Sequence, residues 1–111
     1  MVAKFKIYCF DIDGTLCTQN ETNYEDAEPY VERITQLNAL YDAGHTIFLY
    51  TARGTKTGID WSKVTRQQMA LWGVKYHRLF FGKPYADFYI DDKAINPKNW
   101  LNLKSKSKEL P

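Results

Sequence analysis

The stretch of sequence that determines the fold is Ile7-Tyr8-Cys9-Phe10-Asp11-Ile12-Asp13-Gly14-Thr15-Leu16. Residues 4–10 are rich in aromatic and β-branched types, which favour a buried strand. This strand runs directly into an acidic turn that contains Asp11, Asp13 and Gly14. The sequence therefore predicts two carboxylates at the carboxyl end of the first strand.

Strand-like and helix-like segments alternate along the rest of the chain. In two segments, apolar residues repeat every three or four positions and a glycine follows, which is typical of amphipathic helices. The predicted elements are a helix with Pro29 in its first turn and its end at Gly44, a strand at residues 45–50, a helix with Asp60 as N-cap and its end at Gly73, and short strands at residues 78–81 and 88–90. Repeated strand–helix units predict a single-domain, doubly wound (Rossmann-like) α/β fold, with a mostly parallel sheet and helices on both faces.

The length and composition limit the number of domains and the class of partner. The 111 residues, of which 44% are apolar and 25% charged, are enough for one hydrophobic core but not for two. Residues 1–103 are predicted to form this domain, and the polar, lysine-rich residues 104–111 to form a flexible tail. The net charge of only +2 argues against nucleic acid as a partner.

Other features of the sequence predict a thiol-containing cytoplasmic protein. The longest apolar runs, such as residues 47–50, are far shorter than the ~18 residues of a membrane-spanning helix. The N-terminus lacks the apolar core and cleavage site of a secretory signal, so we expect a cytoplasmic location and no membrane partner. Cys9 and Cys17 are expected to remain thiols. His45 and His77 flank predicted strands outside any motif, and we expect structural roles for them.

Polar side chains follow all four predicted strands. They are Asp11 and Asp13 after the first strand, Thr51 after the second, Lys83 after the third, and Asp91 and Asp92 after the fourth. Because ligands of open α/β sheets bind outside the carboxyl ends of the strands, we expect these groups to lie together. Clustered carboxylates repel one another unless a cation lies among them, and oxygen ligands without His or Cys favour Mg²⁺ over Zn²⁺. The sequence therefore predicts a Mg²⁺ site at Asp11, Asp13, Asp91 and Asp92.

The same residues resemble the four motifs of the haloacid dehalogenase-like superfamily of phosphohydrolases. The first motif, a hydrophobic strand followed by Asp-x-Asp-Gly-Thr, is complete at residues 7–15. Thr51 matches the Ser or Thr of the second motif, and Lys83 matches the lysine of the third. Asp91 and Asp92 match the acidic pair of the fourth motif. The four motifs occur in family order and span residues 7–92, which is most of the domain.

The resemblance implies a role for each of these side chains. Asp11 would be the nucleophile that attacks phosphorus and forms an aspartyl-phosphate. Asp13 would act as general acid and then as general base, and its presence favours phosphoryl chemistry over dehalogenation, because a halide leaving group needs no proton. The remaining roles are phosphoryl binding by Thr51 and Lys83, direct Mg²⁺ ligation by Asp91, and ligation through water or orientation of the ligands by Asp92.

The resemblance also implies a substrate class. Neither interval in which family members insert a cap domain is long enough here, so this is a capless form. Residues 50–61, 72–77 and 81–84 are similar to the small phosphatases of bacterial capsule and surface-polysaccharide synthesis, which implies a phosphorylated sugar or sugar derivative as substrate. Arg53 and Lys56 follow Thr51 on the ligand side, where they either contact the phosphate or sugar or belong to a solvated loop.

A capless site is open to water, so something must cover it if binding is to be selective. The sequence contains 15% aromatic residues, more than so small a core can bury. We therefore expect a homo-oligomer in which aromatic residues of one subunit, including Trp61, Tyr85 and Trp100, border the active site of the next.

Two other functions remain open at this point. Receiver domains of signalling systems also combine acids, Mg²⁺, Thr and Lys and accept a phosphoryl group. In receivers the acidic pair follows the first strand and the phosphorylated Asp follows the third, whereas here the pair comes last. A non-catalytic binding or assembly domain could keep the fold, although the intact Asp11 and Asp13 argue against it. Turnover of a generic phosphomonoester separates these alternatives.

Overall fold

The computed structural model describes residues 5–20 and 23–90 of the chain. Its elements in chain order are β1 (Ile7–Asp11), α1 (Val31–Asp42), β2 (Thr46–Tyr50), α2 (Ser62–Leu71), β3 (Arg78–Phe80) and β4 (Phe88–Ile90), with a 3₁₀ turn at Tyr24–Asp26. Each predicted strand and helix has a counterpart within a few residues of its expected position. The predictions for Asp91, Asp92, Trp100 and the 104–111 tail lie outside the described residues.

The four strands form one parallel sheet in the order β3-β2-β1-β4. The central strand β1 pairs with β2 on one side and with β4 on the other. From β1 the chain proceeds through β2 to β3 in one direction and then returns to β4 beyond β1. The strand order therefore reverses beside β1, and such a reversal is where open α/β sheets bind ligands. The predicted α/β class with a parallel sheet is confirmed.

The hydrophobic core lies on one face of the sheet. Alternate side chains of a strand point to opposite faces, and only one set is packed against the helices. Right-handed crossovers are the rule between parallel strands, and two of them in the same direction place the intervening helices on the same face. In the described ranges, α1 and α2 share one core, which includes Tyr8, Phe10, Ile47 and Leu49 of the sheet, Ile34, Leu37 and Leu40 of α1, and Met69 of α2.

The opposite face of the sheet carries Cys9 and Asp11, which alternate with core residues along β1. The connection between β3 and β4 covers part of this face. From this connection, Lys83 reaches over the rings of Tyr50 and Tyr89. The site described below therefore lies at the carboxyl edge of the sheet, with Lys83 on the face opposite the helices.

The two helices begin close to their predicted positions. α1 begins at Val31, two residues after Pro29, and α2 begins at Ser62. Trp61 rather than Asp60 is the N-cap of α2, but the Asp60 carboxylate still accepts a hydrogen bond from the Ser62 N–H at 2.9 Å. No helix in the described part of the chain is both long and apolar enough to span a bilayer.

The inner face of α2 differs from its predicted apolar stripe. The apolar residues Trp61, Val64, Leu71 and Trp72 predict a buried stripe on this helix, but Leu71 is 81% exposed in the structure. The buried side chains of α2 are Thr65, Gln68 and Met69, two of which are polar. Buried polar groups need hydrogen-bond partners. Thr65 and Gln68 share one partner, Arg53, which is described with the candidate site.

His45 and His77 lie at the amino ends of the strands, at the far end of the sheet from the site. The Nδ1 atom of His45 accepts a hydrogen bond from the Lys6 N–H at 3.1 Å, and that of His77 accepts one from the Ile47 N–H at 3.0 Å. His77 also stacks on Tyr41, with ring centroids 4.6 Å apart. Both imidazoles complete backbone hydrogen bonding at the starts of β1 and β2, which agrees with the structural role expected for them.

Candidate active site

The carboxyl end of β1 carries Asp11, which is partly exposed. Its Oδ1 accepts a hydrogen bond from the following backbone N–H at 2.9 Å. The Lys83 ammonium lies 5.7 Å from the centroid of the Tyr50 ring and 4.6 Å from that of Tyr89. Since Tyr50 is the register partner of Asp11, and Tyr89 that of Cys9, Lys83 lies over the face of the sheet to which Asp11 points. The structure thus brings these two predicted site residues to one edge of the sheet.

The turn after β1 gives Asp13 a different direction from Asp11. The Ile12 carbonyl accepts hydrogen bonds from two backbone N–H groups of the turn, at 3.2 and 2.9 Å. Gly14 has a φ of +86°, which L side chains rarely adopt, so glycine suits the residue directly after Asp13. The Asp13 carboxylate then meets Arg53 in a bidentate pair, with Oδ1–Nη2 and Oδ2–Nε distances of 2.8 and 2.9 Å.

Arg53 is enclosed by the protein, and its side chain has no exposed surface. Besides the carboxylate, its guanidinium donates to Gln68 Oε1 at 2.6 Å and to Thr65 Oγ1 at 3.1 Å. It contacts Cys17 Sγ at 3.9 Å and lies 4.7 Å from the centroid of the Tyr24 ring. The prediction that Arg53 contacts substrate is therefore corrected. Its donors are used inside the protein, and it fixes the orientation of the Asp13 side chain.

Thr51 follows β2 directly and is 1% exposed. Its N–H donates to the Phe80 carbonyl at 3.0 Å, and its Oγ1 accepts a hydrogen bond from the Arg53 N–H at 3.1 Å. A hydroxyl that accepts one hydrogen bond still has its own proton to donate. Thr51 is thus held between the ends of β2 and β3, next to the strand that ends in Asp11.

Lys56 does not lie with the predicted catalytic residues. It is exposed and lines an open pocket of about 520 Å³, which is formed by the loop at residues 52–59 together with Tyr24 and Trp61. Asp11, Asp13, Thr51 and Lys83 do not line this pocket. Arg53 and Lys56 were the other two predicted substrate contacts. In the structure, Arg53 is buried inside the protein and Lys56 lies on a neighbouring surface.

The predicted metal ligands lie only partly within the described residues. In residues 5–20 and 23–90, no group of three His, Cys, Asp or Glu side chains comes together as a metal site. Of the two predicted carboxylate ligands within these ranges, Asp13 forms an ion pair with Arg53. Asp91 and Asp92 lie outside the described residues.

Two thiols accompany the carboxylates of the site. Burial raises the pKa of Cys9 and of Cys17 to about 12, and the nearby charges of Asp11 and Asp13, respectively, act in the same direction. Both side chains therefore stay protonated near neutral pH. The ionised donors near the end of β1 are oxygens, which fit Mg²⁺ better than Zn²⁺.

The sequence reasoning missed four residues that hold Arg53 in place: Cys17, Tyr24, Thr65 and Gln68. Gln68 also donates from Nε2 to the Tyr24 carbonyl at 2.6 Å, which connects α2 to the loop before α1. One signal was present in the sequence. Thr65 and Gln68 are polar residues three positions apart beside the apolar Met69, which is the spacing of a helix face with buried hydrogen-bonding groups.

The structure is similar to two solved structures. A crystal structure of a structural-genomics target protein from Vibrio cholerae has 28% sequence identity and a TM-score of 0.73, with 94% of this chain and 95% of that chain covered. A conserved protein from Bacteroides thetaiotaomicron has 18% identity and a TM-score of 0.72, with 96% and 93% covered. No protein-family model and no curated protein matches the chain. Neither of these proteins is described with an activity, so the two similarities show the fold alone.

We expect Arg53→Met to lower the free energy of unfolding by about 3 kcal/mol, because removing one partner of a buried ion pair leaves the other charge uncompensated. Urea denaturation measures this loss. The matched control is Lys75→Met, since Lys75 and Asp42 form an ion pair of the same 2.8 Å length at the surface. Exposed ion pairs contribute little to the free energy of unfolding, so Lys75→Met should be nearly as stable as the natural chain.

A double-mutant cycle tests whether the Arg53 effect passes through Asp13. Arg53→Met combined with Asp13→Ala should lose at least about 1 kcal/mol less than the sum of the single changes. Additive losses, or equal losses for the Arg53 and Lys75 variants, would show that the ion pair does not hold Asp13.

Proposed function

We propose that this chain is a Mg²⁺-dependent phosphomonoesterase of the haloacid dehalogenase-like type, which acts through an aspartyl-phosphate intermediate. The observation that carries the proposal is the pair of carboxylates at the end of the central strand. Asp11 is partly exposed beside the reversal of strand order, and Asp13, two residues later, is oriented by a buried arginine. A nucleophilic carboxylate beside a second carboxylate of fixed orientation suits a two-step phosphoryl transfer.

In the first step, an oxygen of Asp11 attacks phosphorus, and the bond between phosphorus and the leaving oxygen breaks. Asp13 gives its proton to that oxygen, so the leaving group departs as an alcohol. The Thr51 hydroxyl and the Lys83 ammonium donate hydrogen bonds to the phosphoryl oxygens, on which negative charge increases in the transition state.

In the second step, Asp13 removes a proton from water while the water oxygen bonds to phosphorus. The bond to Asp11 breaks, and inorganic phosphate leaves. The Asp13 side chain keeps 15% of its surface exposed beside Arg53, so a leaving group and water can reach it. When bound, Mg²⁺ would offset negative charge on the phosphoryl group, and its proposed ligands are Asp11, Asp91, Asp92 and the main-chain carbonyl of Asp13.

The proposed substrate is a phosphorylated sugar or sugar derivative in cytoplasmic steps of surface-polysaccharide synthesis. The test is incubation of the purified chain and Mg²⁺ with a panel of phosphosugars and with para-nitrophenyl phosphate, followed by measurement of released phosphate. We expect turnover of the generic ester and faster turnover of one sugar class. Release of no phosphate from any ester would contradict the proposal.

The same experiment separates the phosphatase from a receiver-like phosphoacceptor. A receiver carries its phosphorylated aspartate after the third strand, whereas here Phe80 ends β3 and Phe81 and Gly82 follow. This arrangement supports the phosphatase. A chain that acquires a stable phosphoryl group from acetyl phosphate, but releases none from esters, would favour the receiver-like function.

We also propose a homo-oligomer that covers the open site. Tyr85 is 76% and Phe81 43% exposed, and both lie close in sequence to Lys83. Trp61, in contrast, is half-buried against Tyr24, and Trp100 lies outside the described residues. The proposed oligomer is therefore supported by the exposed aromatic residues between β3 and β4, and not by Trp61.

Size exclusion coupled to light scattering should give at least twice the mass of one chain. Tyr85→Ser should weaken this assembly, because it removes an aromatic side chain that is 76% exposed and lies two residues from Lys83 in the sequence. A strict monomer with full activity at nanomolar concentration would rule out a lid shared between subunits.

A further inference from the structure

The pocket lined by Lys56 and the proposed general acid, Asp13, lie on two sides of the Arg53 guanidinium. The Arg53 guanidinium binds the Asp13 carboxylate through Nε and Nη2, and it lies 4.7 Å from the ring centroid of Tyr24, which lines the pocket. Arg53 therefore contacts both the acid and the pocket wall. This pocket therefore adjoins the Arg53–Asp13 pair on the Tyr24 side.

The loop that forms the pocket is closed by its own hydrogen bonds. The Gly58 N–H donates to the Gly54 carbonyl at 2.8 Å, and the Thr55 N–H donates to the Ala52 carbonyl at 3.0 Å. Gly54 has a φ of +85°, and a Cβ there would lie 2.1 Å from the Ile59 carbonyl oxygen. Only glycine fits this close approach, so Gly54 allows the two ends of the loop to lie close together.

The lining of the pocket combines aromatic rings with one positive charge. Tyr24 and Trp61 meet edge to face, with ring centroids 4.9 Å apart. Lys56 is an exposed ammonium on the loop, and Thr55 and Thr57 add hydroxyls. The described residues that line the pocket include no carboxylate to neutralise Lys56. Such a lining suits a sugar ring, which packs on aromatic side chains, with an anionic substituent that faces the ammonium.

We infer that this pocket binds the organic part of the phosphomonoester and that Lys56 selects substrates whose ring carries a second anionic group, a carboxylate or a second phosphate. The inference rests on the proposed phosphatase function and narrows its substrate class from phosphosugars in general to anionic phosphosugars. A sugar phosphate whose ring carries no second anionic group occupies the same pocket but does not pair with Lys56.

The test uses ligands with a common ring and different substituents. Glucuronic acid 1-phosphate and glucose 1,6-bisphosphate each add one anionic group to glucose 1-phosphate, and they distinguish a carboxylate from a phosphate preference. Each is titrated into the ¹⁵N-labelled Asp11→Asn chain, which is expected not to hydrolyse them, and backbone amide and Trp61 indole shifts are recorded by nuclear magnetic resonance. The spectrum itself verifies that the variant is folded.

We expect the Trp61 indole and the Gly54 and Gly58 amides to shift, with at least one anionic ligand binding about tenfold more tightly than glucose 1-phosphate. Lys56→Gln should remove this preference. Lys63→Gln, the same change at an exposed residue of α2 that does not line the pocket, should keep it. The ratio of kcat/KM for the same ligands in the natural chain gives a second measurement that does not depend on the Asp11 variant.

The subsite and the phosphatase can fail separately. Equal affinities for the three ligands, or shifts confined to residues near Asp11, Thr51 and Lys83, would overturn the subsite even if para-nitrophenyl phosphate is hydrolysed. Conversely, tighter binding of an anionic ligand at Trp61 that is lost in Lys56→Gln would support the subsite, even if no ester is turned over and the phosphatase proposal fails.

Discussion

Asp11→Asn should reduce turnover of every phosphate ester by a factor on the order of 10⁴ or more, which is the scale expected for loss of a covalent nucleophile. An amide attacks phosphorus poorly and supplies no charge to a metal ion. The fold should be unaffected, because the Asn Oδ1 can accept the same hydrogen bond from the following N–H that the Asp11 Oδ1 accepts. Released phosphate measures the effect, and urea denaturation verifies the stability.

The matched control is Asp87→Asn. The Asp87 carboxylate accepts a 2.7 Å hydrogen bond at Oδ2 from the Ile7 N–H of β1. It therefore lies at the opposite end of the strand from Asp11. The charge change is the same as in Asp11→Asn, but it lies at the far end of the strand from the candidate site. We therefore expect Asp87→Asn to keep its activity. If Asp11→Asn retained near-normal activity after contaminating phosphatases had been excluded, Asp11 would not be the nucleophile.

Removal of divalent metal should lower activity by roughly 10²-fold or more, because a metal that neutralises a transferring phosphoryl group contributes several kcal/mol to catalysis. EDTA should stop phosphate release, and an excess of Mg²⁺ should restore it. The proposed ligands are all oxygens, so Zn²⁺ should restore the activity less well than Mg²⁺.

Calorimetric titration with Mg²⁺ provides a readout that does not depend on turnover. We expect binding to the natural chain and weaker binding to Asp91→Asn, which removes the carboxylate proposed to ligate the metal directly. Full activity after chelation, together with no detectable Mg²⁺ binding, would mean that the acidic residues at the strand ends have another role.

The strands were predictable because their signals are local. The apolar run before Asp11 predicts β1, and residues 88–90 were predicted as the strand that the structure shows as β4 (Phe88–Ile90). The apolar stripe of α2 was not predicted correctly, since Leu71 is exposed while Thr65 and Gln68 are buried. A periodic pattern identifies a helix, but it does not show which polar residues have a buried partner elsewhere in the chain.

Arg53 shows the same limit within the candidate site. In the sequence it is a charged residue in a polar loop after Thr51, where contact with substrate and exposure to solvent are both reasonable. Its partners Asp13 and Gln68 lie 40 and 15 positions away. No local rule connects these residues, and their contact exists only because the turn after β1, the loop after β2 and the inner face of α2 meet in three dimensions.

The sequence by itself determined that this chain is an α/β domain whose central strand ends in two carboxylates, because strand propensity and turn chemistry are properties of a few consecutive residues. Only the tertiary structure decided that both described helices cover one face, that Arg53 orients Asp13 instead of facing a ligand, and that Lys56 lines a separate pocket. Those outcomes depend on burial and on hydrogen bonds between distant segments. Burial of a charge is favourable only where the folded chain supplies its partners.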